Sequence, residues 1–339
     1  MASLRRVFAT SILASVLSQV LTATAQPAFG VCYGMLGDNL PTPAAAIQLY
    51  KNHNIGTMQL YDPNPEALQA LGNSGISVIL GTKNEDLPNL ASSVEAAKSW
   101  IDAHVLPYQG VNIKYIAVGD EVIPGESAQC VLPAMQNLQS AISGSSFSSV
   151  AMTTAVSGTV LGASYPPSSG AFTGDAKRAL SGILQFLSNT HAPLLINVYP
   201  YFAYAADPSN IRLDYALFTA PGPVVRDGDL SYWNLLDAMV DAYYAAMERE
   251  NFPNVGVVIS ESGWPSAGNG NFTTPQLALT YNRNFMKKIV AGTGTPKRPD
   301  SHLDGNIFAM FNEDLKSAGE EQNFGLFYPD GTPVYPIFS

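Results

Sequence analysis

Short apolar runs alternate with amphipathic stretches along most of the chain. The runs are rich in β-branched residues, which is typical of strands that are buried on both faces. They lie at residues 28–34, 57–62, 77–82, 113–121, 149–157, 193–201, 255–260 and 305–312. Between the runs, apolar residues recur at helical spacing. This spacing predicts helices at residues 42–54, 66–73, 92–107, 132–143, 179–189, 231–251 and 276–291, with a long loop at 202–230.

The regular alternation of strand and helix predicts parallel strands that are joined by helical crossovers. Eight such strands in a chain of 339 residues fit the (β/α)8 or TIM barrel of the α/β class. An open, doubly wound sheet is the alternative, but no Gly-x-Gly-x-x-Gly turn follows the first strand. Because no linker or low-complexity segment interrupts the pattern, we expect a single domain over residues 26–339.

The first 25 residues are typical of a secretory signal peptide. A pair of arginines precedes an apolar stretch at residues 7–21, and the small residues at 23–25 form a cleavage site. A membrane anchor is the alternative, but the stretch is short and contains Gln19. We therefore predict a secreted protein with no membrane span in the mature chain.

Composition narrows the range of partners. The net charge of −10 disfavours nucleic acids and anionic membranes as partners.

The two cysteines, Cys32 and Cys130, are predicted to be buried free thiols, and a disulfide between them is the alternative. Asn271 begins an Asn-Phe-Thr sequon in a Gly/Asn-rich loop, which predicts an exposed N-glycosylation site.

Carboxylates and aromatic residues concentrate where the predicted strands end. Asp120 and Glu121 end the fourth strand, Glu261 follows the seventh, and Glu313 follows the eighth. Aromatic and amide side chains stand at the same level, namely Tyr33, Tyr61, Asn197, Tyr199, Tyr201 and Trp264. In a barrel the carboxyl ends of the strands form one face, where active sites are built. Cleavage of a glycosidic bond uses two carboxyl groups, and aromatic rings beside them can stack on the apolar faces of the sugars.

Other chemistries find less support in the sequence. The four histidines have no metal-ligand spacing, so we predict no metal site. The Gly-x-Ser-x-Gly elbow of serine hydrolases is absent from the sequence. Lys83 ends the third strand, where it is either a Schiff-base lysine or, more commonly, a surface charge.

Seven motifs spread over nearly the whole chain form a specific set. They are GVCYG at 30–34, LYDPN at 60–64, YIAVG at 115–119, NVYPYF at 197–202, VISESGWPS at 258–266, FAMFNE at 308–313 and FGLF at 324–327. With these motifs the chain resembles the plant glucan endo-1,3-beta-glucosidases, glycoside hydrolases of family 17. The resemblance implies a (β/α)8 barrel that cuts internal β-1,3 linkages of β-glucans with retention and without a cofactor. It also implies a monomer in the apoplast or cell wall, with a role in defence or in callose remodelling.

The resemblance also assigns roles to residues. Glu261 matches the nucleophile of the family and Glu121 matches its acid/base residue. Glu313, Lys316 and Glu321 match supporting residues near the cleft. The positions that match the sugar-binding cleft are Tyr33, Tyr61, Tyr199 and Phe202, to which the strand-end positions add Asn197 and Trp264.

Two residues depart from the family pattern. Asp120 stands where the family carries Asn, and Gln59 stands where it carries Arg. An ionised Asp accepts hydrogen bonds but donates none. Both changes make the centre more negative, which is expected to raise the pKa of Glu261. The sequence therefore predicts a hydrolase that is weakened or has an acid-shifted optimum.

Several functions fit these residues. The principal one is an endo-1,3-β-glucanase. A β-glucan-binding protein on the same scaffold, with little turnover, is an alternative from another class. A hydrolase of mixed-linkage 1,3;1,4-glucan and a transglycosylase share the same catalytic residues and stay open.

Overall fold

The computed structural model describes residues 29–338, so the predicted signal peptide lies outside the described residues and stays a prediction. The strands are β1 (Gly30–Tyr33), β2 (Thr57–Leu60), β3 (Ser77–Gly81), β4 (Asn112–Asp120), β5 (Ala151–Val156), β6 (Leu161–Ala163), β7 (Ala171–Phe172), β8 (Leu194–Asn197), β9 (Val225–Asp227), β10 (Leu230–Tyr232), β11 (Val257–Ser262) and β12 (Gly305–Ile307). Eight of them close a barrel in the order β1-β2-β3-β4-β5-β8-β11-β12, with parallel neighbours throughout. The predicted (β/α)8 barrel is confirmed.

Helices follow the barrel strands in the chain. They are α1 (Pro43–Asn52), α2 (Pro65–Leu71), α3 (Leu87–Ser92), α4 (Val94–His104), α5 (Ala128–Ile142), α6 (Gly174–Thr190), α7 (Pro200–Ala206), α8 (Leu213–Ala216), α9 (Leu235–Arg249) and α10 (Pro275–Ala291). Most of the long helices begin at a side-chain N-cap that accepts the backbone N–H three residues ahead. These caps are Thr42, Asn64, Ser93, Thr173, Asn234 and Thr274. Each cap satisfies a donor that the helix itself leaves free, which fixes where the helix starts.

The core has two parts. Inside the barrel, five buried side chains from five different strands contact one another: Ile79, Ala117, Ala155, Leu195 and Val258. A larger cluster joins the outer faces of the strands to the helices. Residues that alternate along a strand face opposite sides of the sheet, so each apolar run supplies both parts. This explains why the runs are apolar throughout instead of alternating with polar residues.

The segment predicted as a long loop is more structured than expected. It contains α8, most of α7, and β9, which pairs with β10 in an antiparallel hairpin at the end of the segment. The turn of this hairpin includes Gly228, whose φ of 60° suits glycine. The Asp-Gly pair that ends β9 is a hairpin signal in the sequence. The helix predicted at 231–251 therefore starts too early, because β10 ends at Tyr232 and α9 begins after its cap, Asn234.

The last two barrel strands also differ from their predicted bounds. The strand expected at 255–260 extends through Glu261 to Ser262. The strand expected at 305–312 ends at Ile307. Beyond it the chain leaves the ladder, although the Met310 N–H still donates to the carbonyl oxygen of Cys32 at 2.8 Å. Glu261 is therefore part of a strand and not of the loop after it.

Both cysteines are free thiols in the structure. Cys32 is buried, and its Sγ lies 3.3 Å from the carbonyl oxygen of Ser260. Cys130 is only half-buried, because it lies in the first turn of α5 at the surface of the barrel. The prediction that both thiols are buried is therefore wrong for Cys130.

The cluster inside the barrel makes a stability prediction. Leu195 is fully buried there. We expect Leu195→Ala to lower the free energy of unfolding by about 2–5 kcal/mol, because it removes buried apolar area and leaves a cavity. Denaturant unfolding measures this loss. Leu315→Ala is the matched control, because Leu315 is 63 % exposed. A loss of equal size in the control would contradict the assignment of Leu195 to the core.

Candidate active site

A cleft of about 930 Å³ lies at the carboxyl ends of the barrel strands. Its principal lining residues are Tyr33, Met35, Leu36, Tyr61, Lys83, Asn84, Asp120, Glu121, Asn197, Tyr199, Phe202, Glu261, Phe308, Glu313, Lys316, Glu321 and Phe324. Most of the residues that the sequence predicted for the site therefore line one cavity. The two catalytic candidates, Glu121 and Glu261, are both among them.

Glu261 is held by two phenol hydroxyls. The Tyr61 hydroxyl donates to its Oε1 at 2.7 Å, and the Tyr199 hydroxyl donates to its Oε2 at 2.6 Å. Such short O–H···O⁻ bonds favour an ionised carboxyl and fix its orientation. The register of β11 against β8 shifts between Ile259 and Glu261, as in a β-bulge. The shift turns Glu261 towards the cleft, because an extra residue redirects the side chains that come after it.

Glu121 lies just after β4, where the backbone is irregular. The register of β4 against β5 shifts between Ala117 and Asp120. Gly119 and Glu121 both have positive φ values, of 78° and 55°. Such a conformation is uncommon for a glutamate and costs energy. It places the side chain of Glu121 in the cleft, where it is exposed. A residue that donates a proton to a bound substrate needs such access.

Asn197 connects the acids of the site. Its Nδ2 donates to Glu121 Oε1 at 2.7 Å and to Asp120 Oδ1 at 3.2 Å. The buried Ser260 hydroxyl donates to its Oδ1 at 2.6 Å, which leaves the amide nitrogen facing the carboxyl groups. Both amide hydrogens are therefore used on acids.

Asp120 is fixed through its backbone as well. The Asp120 N–H donates to Asn84 Oδ1, and Asn84 Nδ2 donates to the Asp120 carbonyl oxygen, both at 2.9 Å. This reciprocal pair holds the end of β4 against the loop after β3. Asp120 therefore has little freedom to swing out of the cleft.

The pKa values of two acids are raised in this cleft. Burial is the main cause of the raised pKa of Glu261, and the charge of Asp120 adds to the shift, while the two phenol hydrogen bonds oppose it. Burial also raises the pKa of Asp120, and Glu121 adds to the shift, while Asn197 and Lys316 oppose it. The sequence likewise predicts that negative charge on Asp120 raises the pKa of Glu261.

Gln59 lies inside the barrel below this site. It is 3 % exposed and pairs in register with Cys32 and Ile79 of the neighbouring strands. Its Oε1 has no hydrogen-bond partner among the residues that the structure describes. Gln59 therefore supplies no positive charge to offset the acids, in agreement with the prediction from the sequence.

Glu313 and Lys316 form a supporting pair. Glu313 is buried, its Oε1 accepts the Leu36 N–H at 2.8 Å, and Lys316 Nζ lies 3.5 Å from its Oε2. The same Nζ lies 4.1 Å from the ring centroid of Phe308, which favours a cation. Gly34 is required here, because a Cβ at this position would overlap the carboxyl group of Glu313.

Aromatic rings form one wall of the cleft. Tyr199 contacts the rings of Phe202, Phe308 and Phe324. Phe202 is 40 % exposed, which leaves its ring accessible to a ligand. Phe308 and Phe324 were missed as cleft residues, although each begins a motif in the sequence. Phe308 directly follows β12, but the sequence predicts it inside a strand that continues to residue 312, and Phe324 lies well beyond the last barrel strand.

Comparisons with known proteins agree with this site. The family model described as glycosyl hydrolases family 17 matches residues 29–338. The chain belongs to glycosyl hydrolase family 17. It is therefore a glycosidase, and the family resemblance seen in its motifs is confirmed.

Relatives of this family 17 chain include plant enzymes. A probable glucan endo-1,3-beta-glucosidase of Arabidopsis thaliana is 51 % identical over 318 residues, which cover 93 % of this chain and 92 % of the relative. Lichenase-2 of Hordeum vulgare is 46 % identical and covers 91 % of this chain and 97 % of its own. A structure from a study of two plant beta-glucan endohydrolases with distinct substrate specificities superposes with a TM-score of 0.88 at 45 % identity, covering 92 % of this chain and 100 % of its own.

Trp264 does not belong to the cleft of this family 17 enzyme. It is fully buried, its Nε1 donates to the Phe272 carbonyl oxygen at 2.8 Å, and Tyr201, Tyr204 and Tyr281 surround its ring. The prediction that Trp264 contacts substrate is therefore wrong. Aromatic character beside Glu261 suggested a sugar platform, but the chain turns away from the cleft after β11. Tyr201 is likewise buried.

The remaining predicted residues lie at the surface. Lys83 is exposed and lines the cleft. Asn271 is exposed and lies outside the cleft, and its glycosylation stays a prediction.

Within residues 29–338, His, Cys, Asp and Glu form no group of three or more that would hold a metal ion. In the same range, no helix is both long and apolar enough to cross a membrane.

The raised pKa values make a stability prediction. A carboxyl group whose pKa is higher in the folded than in the unfolded state stabilises the fold at low pH, and this contribution is lost as the pH rises through the folded pKa. For Asp120 and Glu261 the loss falls between about pH 4 and about pH 8. We expect the free energy of unfolding to fall over this window by up to about 1.4 kcal/mol per pH unit for each group.

Urea unfolding at several pH values in this window measures the slope. Glu261→Gln removes one of the two groups and should flatten it. Glu126→Gln is the matched control, because Glu126 is exposed, and it should keep the wild-type slope. An unchanged slope in Glu261→Gln would contradict the assignment.

Proposed function

We propose that this protein is a secreted endo-hydrolase of internal β-1,3-glucosidic linkages, acting by a retaining double displacement. One observation carries the proposal most strongly. Glu261 is buried between the two phenol hydroxyls, and the exposed Glu121 lies in the same cleft. Relatives that are named glucan endo-1,3-beta-glucosidases support the linkage. The signal peptide predicted at residues 1–25 supports secretion.

In the first step, Glu121 donates its proton to the glycosidic oxygen as the carboxylate of Glu261 attacks the anomeric carbon. The glycosidic bond breaks, the leaving sugar takes the proton, and a glycosyl ester forms on Glu261. In the second step, Glu121 takes a proton from water, whose oxygen attacks the same carbon. The ester bond breaks and Glu261 returns to a carboxylate. Two inversions give retention.

The surroundings of the two acids suit these steps. The hydroxyls of Tyr61 and Tyr199 orient the carboxylate of Glu261 for attack and stabilise it when it leaves the ester. The Asn197 side-chain amide orients the carboxyl group of Glu121 by donating a hydrogen bond to its Oε1. The ring of Phe202 offers a face for a sugar, because aromatic rings pack against the apolar faces of pyranoses.

Two other candidates rest on specific observations. Lichenase-2 of Hordeum vulgare is nearly as similar as the 1,3-glucosidases, which favours 1,3;1,4-glucan as a second substrate. Asp120 and the orphaned Gln59 favour a glucan-binding protein with little turnover, because neither supplies the positive charge that would offset the acids. Both candidates use the same cleft, and activity on two glucans separates them.

We expect the wild-type protein to release reducing sugar from laminarin at mildly acidic pH, faster than from lichenan, a mixed-linkage glucan. Glu261→Gln should abolish the release while laminarin still binds, because the amide keeps the shape of the side chain but is not a nucleophile. NMR of the first product should show the β-anomer. Binding without release by the wild type would identify a glucan-binding protein, and preference for lichenan would identify a 1,3;1,4-glucanase.

The phenol hydrogen bonds make a separate prediction. Tyr199→Phe removes a donor that favours ionised Glu261, so the pKa of Glu261 rises further. We expect the acid limb of kcat/KM to move to higher pH and kcat/KM to fall about tenfold or more, because a hydrogen bond to a charged group contributes about 1.5–3 kcal/mol. Tyr215→Phe is the control, because the Tyr215 hydroxyl is buried without a partner in the described chain. Equal effects of the two changes would contradict this role of Tyr199.

A further inference from the structure

Asp120 is a carboxyl group of the cleft that the proposed chemistry does not use. A retaining mechanism needs one ionised and one protonated carboxyl, which Glu261 and Glu121 supply. Asp120 lies beside both, lines the same cleft and is fixed by Asn84 and Asn197. A buried acid in an active site raises the energy of the folded state unless its charge is compensated or removed. In the working enzyme Asp120 is therefore either a carboxylate paired with a cation or a neutral acid.

Little positive charge faces Asp120. The titratable groups that interact with it are Glu121 next to it in the chain, Cys32 of β1, Tyr61 after β2, Glu261 of β11 and Lys316 after β12. Lys316 is the one cation in this set, and it already pairs with Glu313 at 3.5 Å. An ionised Asp120 would therefore add a negative charge to a group of acids that a single shared lysine does not neutralise.

The hydrogen-bond donors favour placing the negative charge on Glu261. Each of its two oxygens accepts a phenol O–H, at 2.7 and 2.6 Å. Asp120 accepts one long bond, 3.2 Å, from an amide that it shares with Glu121. A carboxyl with more and shorter donors holds its charge better. When the two acids carry one proton between them, that proton belongs on Asp120.

The location of that proton is determined by the same contacts. Oδ1 of Asp120 accepts from Asn197, so the proton sits on Oδ2. Oδ2 has no hydrogen-bond partner among the described residues, and Asp120 lines the cleft. A neutral Asp120 therefore presents an O–H donor to a ligand in the cleft, at the level of Glu121 and Glu261. An ionised Asp120 presents only an acceptor there.

We infer that Asp120 is a positioning residue that works as a neutral carboxylic acid, donating from Oδ2 to a hydroxyl of the sugar bound at the cleavage point. Its ionisation then ends activity on the alkaline side of the pH profile. This inference rests on the proposed hydrolysis of β-glucan. Burial raises the pKa of Asp120 and of Glu261 alike, and the two short phenol hydrogen bonds, which only Glu261 receives, assign the negative charge to Glu261.

The pH dependence of kcat/KM on laminarin tests the inference through the direction of a shift. Asp120→Asn keeps the shape and is a donor at every pH. We expect its alkaline limb to move to higher pH, since one ionisation that ends activity is gone, and its acid limb to stay in place. At the alkaline pH where the kcat/KM of the wild type has fallen to half of its maximum, the kcat/KM of the variant should still be close to the variant's own maximum.

The opposite result has an equally definite meaning. If Asp120 is ionised in the working enzyme, removing its charge makes it easier for the remaining acids of the cleft to ionise, so the alkaline limb moves to lower pH. That shift, or two unmoved limbs, would overturn the inference. Asp229→Asn, in the turn of the β9–β10 hairpin, is the matched control, because Asp229 is exposed and the change removes the same charge. It should leave both limbs unchanged.

A second measurement does not depend on turnover. Infrared difference spectra of the wild type against Asp120→Asn, taken in mildly acidic buffer, report the state of this one side chain. We expect the wild type to show the C=O band of a protonated carboxyl that the variant lacks. A carboxylate band in its place would overturn the inference. Absence of laminarin turnover in the wild type would instead refute the proposed function, and the spectra would still decide the state of Asp120.

Discussion

The constraint on which this site depends is the cost of keeping carboxyl groups out of water. Glu261 is buried, Asp120 is partly buried, and Glu313 is buried behind them. Each carboxyl group has partners that offset this cost. Two phenol hydroxyls donate to Glu261, and a side-chain amide donates to Asp120. Glu313 accepts a backbone N–H and pairs with a lysine. These partners come from segments that are far apart in the chain. A barrel provides such convergence, because all of its strands end at one face.

Irregular strand ends carry the reactive groups. The strands β4 and β11, which carry or directly precede the proposed catalytic acids, both contain a register shift near their carboxyl ends. Glu121 also adopts a left-handed backbone conformation. Strain of this kind persists only where the surroundings determine it strongly. Here the reciprocal pair of Asn84 with the Asp120 backbone, and the bond from the Glu121 N–H to the Ala155 carbonyl oxygen, supply that support.

The barrel and most of its site could be predicted from the sequence, because both depend on periodicity and on the residues at the end of each strand. Trp264 shows the limit of this reasoning. Its position beside Glu261 indicates the cleft, but the direction of the chain after β11 is set by tertiary contacts that a local pattern does not contain. Phe308 and Phe324 show the opposite case, in which a residue lines the cleft although the sequence does not predict it. Both lie in irregular segments, where no regular spacing of apolar residues indicates the direction of a side chain. The link from Ser260 through Asn197 to two acids is also invisible in the sequence, since it joins positions that are 63 residues apart.

The bond from Ser260 to Asn197 has a consequence for how this family 17 enzyme can change. Neighbouring residues on a strand normally face opposite sides of a sheet, yet Ser260 and Glu261 both serve the active site because the register of β11 shifts between Ile259 and Glu261. One bulge thus aims Glu261, the proposed nucleophile, and also selects the orientation of the amide that holds Glu121, the proposed proton donor. Loss of the bulge would misdirect both halves of the reaction at once. The positions of the two acids therefore depend on one irregularity of β11, although the acids come from separate strands.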